Sequence, residues 1–269
     1  HLSIRRQRQM CIRDSTNCHS DLPNLNQGFG GKESDQYLFT ISEFEKAKTY
    51  YFARGKKTSS NKSKEGVDYF ATPEPLGFKM VEWLNPQPNE DMLEPSAGHG
   101  AIARFFPGNT NNHFVEASHY LSSELAINVH GRVHNTTFEN YYLGNKFHKI
   151  AMNPPFGNSG KTAMEHLEKA CRMLHWSGGE LLAIIPNGPS MENRLFNFLN
   201  DSKNSRYQLT GEIILPTCVF ERAGTSVWCR IVRIQDGYHQ GNYKYFNRID
   251  LSYIKNITDF FNEIENLNF

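Results

Sequence analysis

The stretch Ile150-Ala151-Met152-Asn153-Pro154-Pro155-Phe156-Gly157 constrains this chain most. Three apolar residues run into an asparagine, two prolines and an aromatic. Proline lacks a backbone N–H and holds its own φ fixed, and Pro154 also pushes Asn153 towards extended backbone. A buried strand therefore ends at Asn153, and a stiff turn follows at its carboxyl end. In open α/β sheets that end of the strands is where ligands bind. The turn offers two hydrogen-bond acceptors, the Asn153 side-chain oxygen and the Pro154 carbonyl. Together they match both hydrogens of an exocyclic amine, and Phe156 adds a flat apolar face for a ring.

A glycine turn lies upstream. Asp91-Met92-Leu93-Glu94 leads through Pro95-Ser96-Ala97-Gly98-His99-Gly100 into Ala101-Ile102-Ala103, which reads as strand, small-residue turn and helix. Gly98 and Gly100 permit positive φ and close approach of a ligand. The turn lacks the third glycine of the dinucleotide fingerprint and the Lys-Ser/Thr of a P-loop. The next strand, His113 to Ala117, carries Glu116, which lies 22 residues after Glu94. An acid about 20 residues past a glycine turn suits ribose hydroxyls in a βαβ unit. Ahead of the turn, Thr72 is placed as a helix N-cap and Pro73 at the first helical position. Leu76, Met80, Val81 and Leu84 then share one helix face, with Gly77 a costly interior residue.

The remaining pattern alternates helix and strand. Ser118–Val129 reads as a crossover helix with Leu121, Leu125, Ala126 and Val129 inward, and Arg132–Asn135 as a third strand. His148–Met152 is the fourth, delivering the Asn-Pro-Pro-Phe turn. Ala163, Leu167, Ala170, Cys171 and Leu174 have helical spacing. Leu181–Ile185 is a continuous apolar run suited to a strand buried on both faces, and a helix is placed at Met191–Leu199. Glu212–Pro216 and Ser226–Ile234 are the last strands. The loop Thr217–Thr225 joins them without a helix, which suits an antiparallel final strand.

Four features occur in one order: Thr72-Pro73, the Glu94-to-Gly100 turn, the strand-end acid Glu116, then Asn153-Pro154-Pro155-Phe156. In that order the chain resembles the N(6)-adenine DNA methyltransferases that use S-adenosylmethionine, over roughly residues 66–235. The resemblance implies a Rossmann-like α/β fold, a mostly parallel seven-stranded sheet with an antiparallel last strand and helices on both faces. It implies that Thr72 and Pro73 close over the methionine part of the cofactor and that Glu94 positions its ammonium. The backbone of Pro95, Ser96, Ala97, Gly98 and Gly100 would pack along the nucleoside. Relatives place an Asp before an aromatic where this chain has Thr137 and Phe138. Thr137 would accept the cofactor adenine amine in its place, more weakly and without charge. Phe138 would stack beside that adenine or sit in the core. Phe220 falls where relatives often face a flipped base, the alternative being an apolar loop anchor. Arg222 is a candidate phosphate contact. Asn153, Pro154, Pro155 and Phe156 are the expected catalytic turn, with Asn153, Phe156 and Phe220 against the target base and no metal required. Methylation of RNA or of a protein glutamine uses similar turns, and a non-catalytic binding module is the rival outside enzymes.

Composition bounds the partners. The net charge is +1, but the first 65 residues carry 12 Lys/Arg against 7 Asp/Glu, and the remainder 17 against 21. A DNA partner must therefore be met by a local patch, the amino-terminal part, or a specificity or helicase partner or flanking domain. Cys11, Cys18, Cys171, Cys218 and Cys229 form no C-x-x-C pair, so reduced thiols in a cytoplasm are expected. No membrane-spanning run or secretory signal is visible. Residues 1–35 are read as disordered or artefactual. Arg5 to Ser15 resembles translated adapter sequence, a basic nucleic-acid arm being the alternative, and the start at His1 points to a fragment or processed chain. Residues 36–65 are read as a helical extension and basic linker, the sharper alternative for Gly55–Glu65 being a phosphate-contacting loop. Residues 66–236 are read as the catalytic domain and 237–269 as a helical extension beginning its helix near Leu251.

Overall fold

The computed structural model describes residues 42–53, 70–142, 144, 146–237 and 246–269. The expectations for residues 1–35 and Gly55–Glu65 lie outside the described residues. In chain order the elements are α1 (Glu43–Ala53), α2 (Glu74–Leu84), β1 (Asp91–Glu94), β2 (Asn111–Glu116), α3 (His119–Asn128), β3 (Arg132–Asn135), β4 (Lys149–Met152), α4 (Lys161–Arg172), β5 (Glu180–Pro186), α5 (Pro189–Asn200), β6 (Tyr207–Ile214), β7 (Cys229–Asp236), β8 (Asn247–Asp250) and α6 (Ile257–Glu265).

One sheet runs in the order β3-β2-β1-β4-β5-β7-β6-β8. β1 to β5 are mutually parallel, and β7 lies antiparallel between β5 and β6. The expected α/β architecture is present, with one strand more than the sequence reading placed. β8 adds to the outer edge, parallel to β6. It holds Asn247, Arg248 and Asp250 around a single aliphatic, Ile249, so no apolar alternation marks it. It sits where a plain helical extension was expected, and the helix itself starts at Ile257.

Two apolar cores flank the sheet, and the period of two along each strand divides the side chains between them. Ala151, Leu182, Ile184, Ile213 and Ile231 face α1, α2, α3 and α6. Ile150, Met152, Leu181, Ala183, Ile185, Val232 and Ile234 face α4 and α5. α3 is capped by Ser118, whose hydroxyl oxygen accepts from Leu121 N–H at 3.2 Å. Its buried face is Leu121, Ser122 and Leu125, while Ala126, placed inward by the sequence reading, is exposed. The helix expected after the glycine turn is replaced by a short 3-10 turn, Ala103–Phe105. Pro107 follows at once, and too few residues lie between Gly100 and that proline to carry a costly helix nucleus.

Candidate active site

The parallel strands β1 to β5 bring their carboxyl ends to one edge. Glu94 ends β1, Glu116 ends β2, and Asn153 follows β4. β1 pairs with β2 on one side and β4 on the other, so the glycine turn and the Asn-Pro-Pro-Phe turn are neighbours at the topological switch point. Crevices in such sheets open there.

Asn153 is half-buried, and its carboxamide orientation is fixed from the amino-terminal side. Its Nδ2 donates to the Phe70 carbonyl at 2.9 Å and to Thr72 Oγ1 at 3.1 Å. A backbone carbonyl can only accept, so nitrogen must face Phe70 and Oδ1 must face away. Pro154 is buried, while Pro155 and Phe156 are half-buried. Phe156 stacks on Phe70 with ring centroids 6.2 Å apart and planes inclined by 27°.

Thr72 is 4% exposed and caps no helix. Pro73 is itself the N-cap residue of α2, in extended backbone and without a side-chain cap bond, and the helix begins at Glu74 with Pro75 beside it. Prolines at 73 and 75 left the starting residue open in the sequence, which placed it one residue early. The threonine hydroxyl is thereby released to Asn153.

The glycine turn is built on backbone and one carboxylate. Ala97 N–H donates to Val115 O at 2.9 Å, and Gly100 N–H to Ala97 O at 2.9 Å. Glu116 Oε2 accepts from Gly98 N–H and Oε1 from Ser118 N–H, both at 2.8 Å. Glu116 thus ties the turn to the end of β2. Gly98 and Gly100 have φ of 56° and 92°, and a Cβ at Gly100 would meet Leu125 at 3.0 Å. Pro95 and Ala97 are buried and Ser96 is half-buried. Glu94 is 2% exposed, and its Oε2 has no hydrogen-bond partner among the described residues. Burial pushes its carboxyl well above the usual carboxylate range, with the nearby Glu116 adding to the rise.

Two expected aromatics are buried, and Arg222 is engaged by Tyr51. Phe220 is 1% exposed within the core on the α2 face, so it anchors its loop and does not face an open cleft. Phe138 is 3% exposed and packs edge-on against His166, with Lys169 Nζ 4.9 Å from its ring centre. It packs within the core on the α4 and α5 side. Arg222 donates to the Tyr51 carbonyl and lies over the Tyr51 ring at 4.3 Å, which docks α1. Thr137 is exposed, with its hydroxyl accepting from Asn140 N–H at 3.3 Å.

The sequence reading missed three contributors. The Phe70 carbonyl carries no side-chain signal at all. Gly77 lets α2 cross the glycine turn, since a Cβ there would lie 2.5 Å from Ala101 O. His166, 5% exposed, bridges Ser96 Oγ at 3.5 Å and Glu139 Oε1 at 2.9 Å, linking α4 to the turn. Its place on the inner face of α4 made it look like any core residue.

No protein-family profile matches the chain and no curated protein matches it. Its fold is shared with solved methyltransferases. A Listeria monocytogenes protein assigned to the class I S-adenosylmethionine-dependent methyltransferases superposes with a TM-score of 0.61 at 15% identity, over 85% of this chain and 80% of that one. A modification subunit assigned to a type I restriction enzyme from Vibrio vulnificus gives 0.55 at 18% identity, over 81% of this chain; the match spans only 55% of that subunit. A Pyrococcus horikoshii protein assigned as an RNA methyltransferase gives 0.55 at 16% identity, over 72% and 99%. The chain therefore has the Rossmann-like fold of the S-adenosylmethionine-dependent methyltransferases.

Proposed function

We propose that this chain is an S-adenosylmethionine-dependent methyltransferase acting on the exocyclic amine of adenine in DNA. The observation that carries the reading is the Asn153 carboxamide, whose nitrogen is committed to Phe70 and Thr72 and whose oxygen is thereby left as an acceptor; the Pro154 carbonyl would be the second. An aromatic amine is a poor nucleophile because its lone pair is delocalised into the ring. Two acceptors on its two hydrogens favour a pyramidal nitrogen with the lone pair directed outward. Catalysis of this kind is orientation and electrostatics. After transfer the nitrogen sheds one proton, held at Asn153 Oδ1 or the Pro154 oxygen until water takes it. Phe156 supplies a stacking face worth about 1–3 kcal/mol per base in comparable sites. A base in a duplex cannot reach such a turn, so the target is flipped or single-stranded.

The residues present fit the cofactor. The unpartnered Glu94 oxygen is a buried acceptor at the strand end where an ammonium would sit, and Gly98 and Gly100 leave the turn bare of Cβ atoms. Glu94 would hold the ammonium, Glu116 the ribose hydroxyls, and Thr137 the adenine amine, with Pro73 and the Thr72 backbone alongside the methionine part and the Thr72 side chain turned to Asn153. When bound, S-adenosylmethionine supplies a methyl group on a positive sulfonium that departs as a neutral thioether. The likeness to the Vibrio modification subunit supports a restriction-modification setting, with target recognition in a partner or flanking domain.

The test is methyl transfer from labelled cofactor to separate pools of unmethylated genomic DNA, RNA and protein, with the product identified by mass spectrometry. N(6)-methyladenine in DNA is expected, and Asn153→Ala should abolish it while cofactor binding persists. Label in RNA or glutamine alone would overturn the substrate, and undiminished transfer by Asn153→Ala would overturn the site.

A further inference from the structure

We infer that Thr72 is a positioning residue for the amine-binding carboxamide, acting through Asn153 and not through the cofactor; the inference rests on the site proposed above and adds to it. Thr72 and Asn153 lie 81 residues apart in sequence and 3.1 Å apart between Oγ1 and Nδ2. The carboxamide has two N–H donors, and both are taken, one by the Phe70 carbonyl and one by the threonine hydroxyl. Flipping the amide would set Oδ1 against the Phe70 oxygen, two acceptors facing each other in a half-buried site. The bonds therefore choose which atom of Asn153 is left to accept from a substrate amine.

The local sequence keeps the threonine oxygen available for this task. A threonine just ahead of a helix ordinarily accepts a backbone N–H of the first turn. Counted from Thr72 the third helical position is Pro75, which has no N–H to offer, and the helix is shifted one residue on, with Pro73 as its N-cap. The Thr72 oxygen instead accepts from Asn153 Nδ2. Thr72 is 4% exposed, so little water is on hand to replace its oxygen if the hydroxyl is lost. An unmet buried donor would let the carboxamide rotate or draw its oxygen out of the cleft.

Thr72→Val keeps the shape and removes the acceptor, and Thr72→Ser keeps the acceptor. Two readouts separate the roles. The first is the side-chain NH₂ signal of Asn153 in protein labelled with ¹⁵N-asparagine and assigned by its loss in Asn153→Asp. In the wild type its protons should exchange with solvent more slowly than those of the exposed Asn109. Thr72→Val should speed that exchange, and Thr72→Ser should restore it. The second is steady-state transfer to unmethylated genomic DNA. Thr72→Val should lower kcat about tenfold to a hundredfold, with the KM for S-adenosylmethionine within about twofold of wild type. Thr72→Ser should recover kcat to within about threefold.

A raised cofactor KM with kcat unchanged would place Thr72 on the cofactor side and overturn the inference. Thr72→Ser as impaired as Thr72→Val would make the residue a packing element and also overturn it. If Thr72→Val does not fold, the wild-type and Thr72→Ser exchange rates decide: Asn153 protons as labile as those of Asn109 refute the hydrogen bonds. Failure of the wild type to methylate adenine in DNA, with slow Asn153 exchange retained, would instead sink the substrate reading and leave the positioning role standing.

Discussion

Replacing Gly77 by alanine sets two physical effects against each other. Glycine in a helix interior costs about 0.8–1 kcal/mol relative to alanine, so local propensity alone makes Gly77→Ala stabilising. The packing says otherwise. A Cβ at 77 would lie 2.5 Å from Ala101 O, 3.3 Å from Ala101 C and 3.3 Å from Ile102 Cα. All three are backbone atoms of the segment leaving the glycine turn, so no rotamer change relieves the clash. α2 and the turn must separate by a large fraction of an ångström. Overpacking of this kind typically costs about 1–3 kcal/mol, which offsets or exceeds the helical gain. Urea unfolding at constant m-value should therefore give a stability between unchanged and about 2 kcal/mol lower. Because the turn is pushed by its own backbone, cofactor affinity by calorimetry should fall further, about tenfold or more. A variant more stable by about 1 kcal/mol with unchanged affinity would show that α2 does not meet the turn.

Two ionisable sites make stability depend on pH. Burial raises the Glu94 carboxyl, so the fold keeps its proton to higher pH than the unfolded chain, which loses it near the ordinary carboxylate value. The folded state then binds the extra proton, so stability falls as pH rises from that value towards the folded one. Glu94→Gln should flatten this slope relative to wild type in urea titrations, and should weaken cofactor binding; an identical pH dependence would contradict the buried acid. His113 and His134 stack 5.5 Å apart at the edge formed by β2 and β3, and burial lowers both. Each takes up its proton at lower pH in the fold than in the unfolded chain, so stability is present above about pH 6.5 and declines as pH falls below it. His134→Gln should reduce that loss in thermal midpoints taken from neutral to mildly acidic pH.

The sheet was legible because each inner strand is short, apolar and followed by a turn with its own chemistry. Leu181–Ile185 and Ile150–Met152 could hardly be anything else. β8 was not legible, because its stability comes from pairing with β6 and from Arg248 reaching Glu212 at 3.0 Å, neither of which leaves a local pattern. The Asn153–Phe156 turn was legible as a residue string, and its orientation was not. Orientation depends on a carbonyl and a hydroxyl more than 80 residues upstream. Phe138 and Phe220 show the opposite limit: an aromatic at a family position reads alike whether it lines a cleft or fills a core.

α2 and the residues leading into it touch both halves of the site, which makes their coupling measurable. Thr72 grips the carboxamide just ahead of the helix, and Gly77 meets the glycine turn a little over one turn further on. A helix is stiff over so short a span. A displacement forced at Gly77 is therefore carried to Thr72, whose bond to Asn153 at 3.1 Å has only a few tenths of an ångström before it ceases to be a hydrogen bond. Losing the hydroxyl should then matter less in a chain whose helix has already moved. In a double-mutant cycle the combined loss of kcat from Gly77→Ala and Thr72→Val should fall short of the sum of the separate losses by about 0.5 kcal/mol or more. Strict additivity would mean that the carboxamide and the glycine turn are held independently, and that α2 is only a wall shared between them.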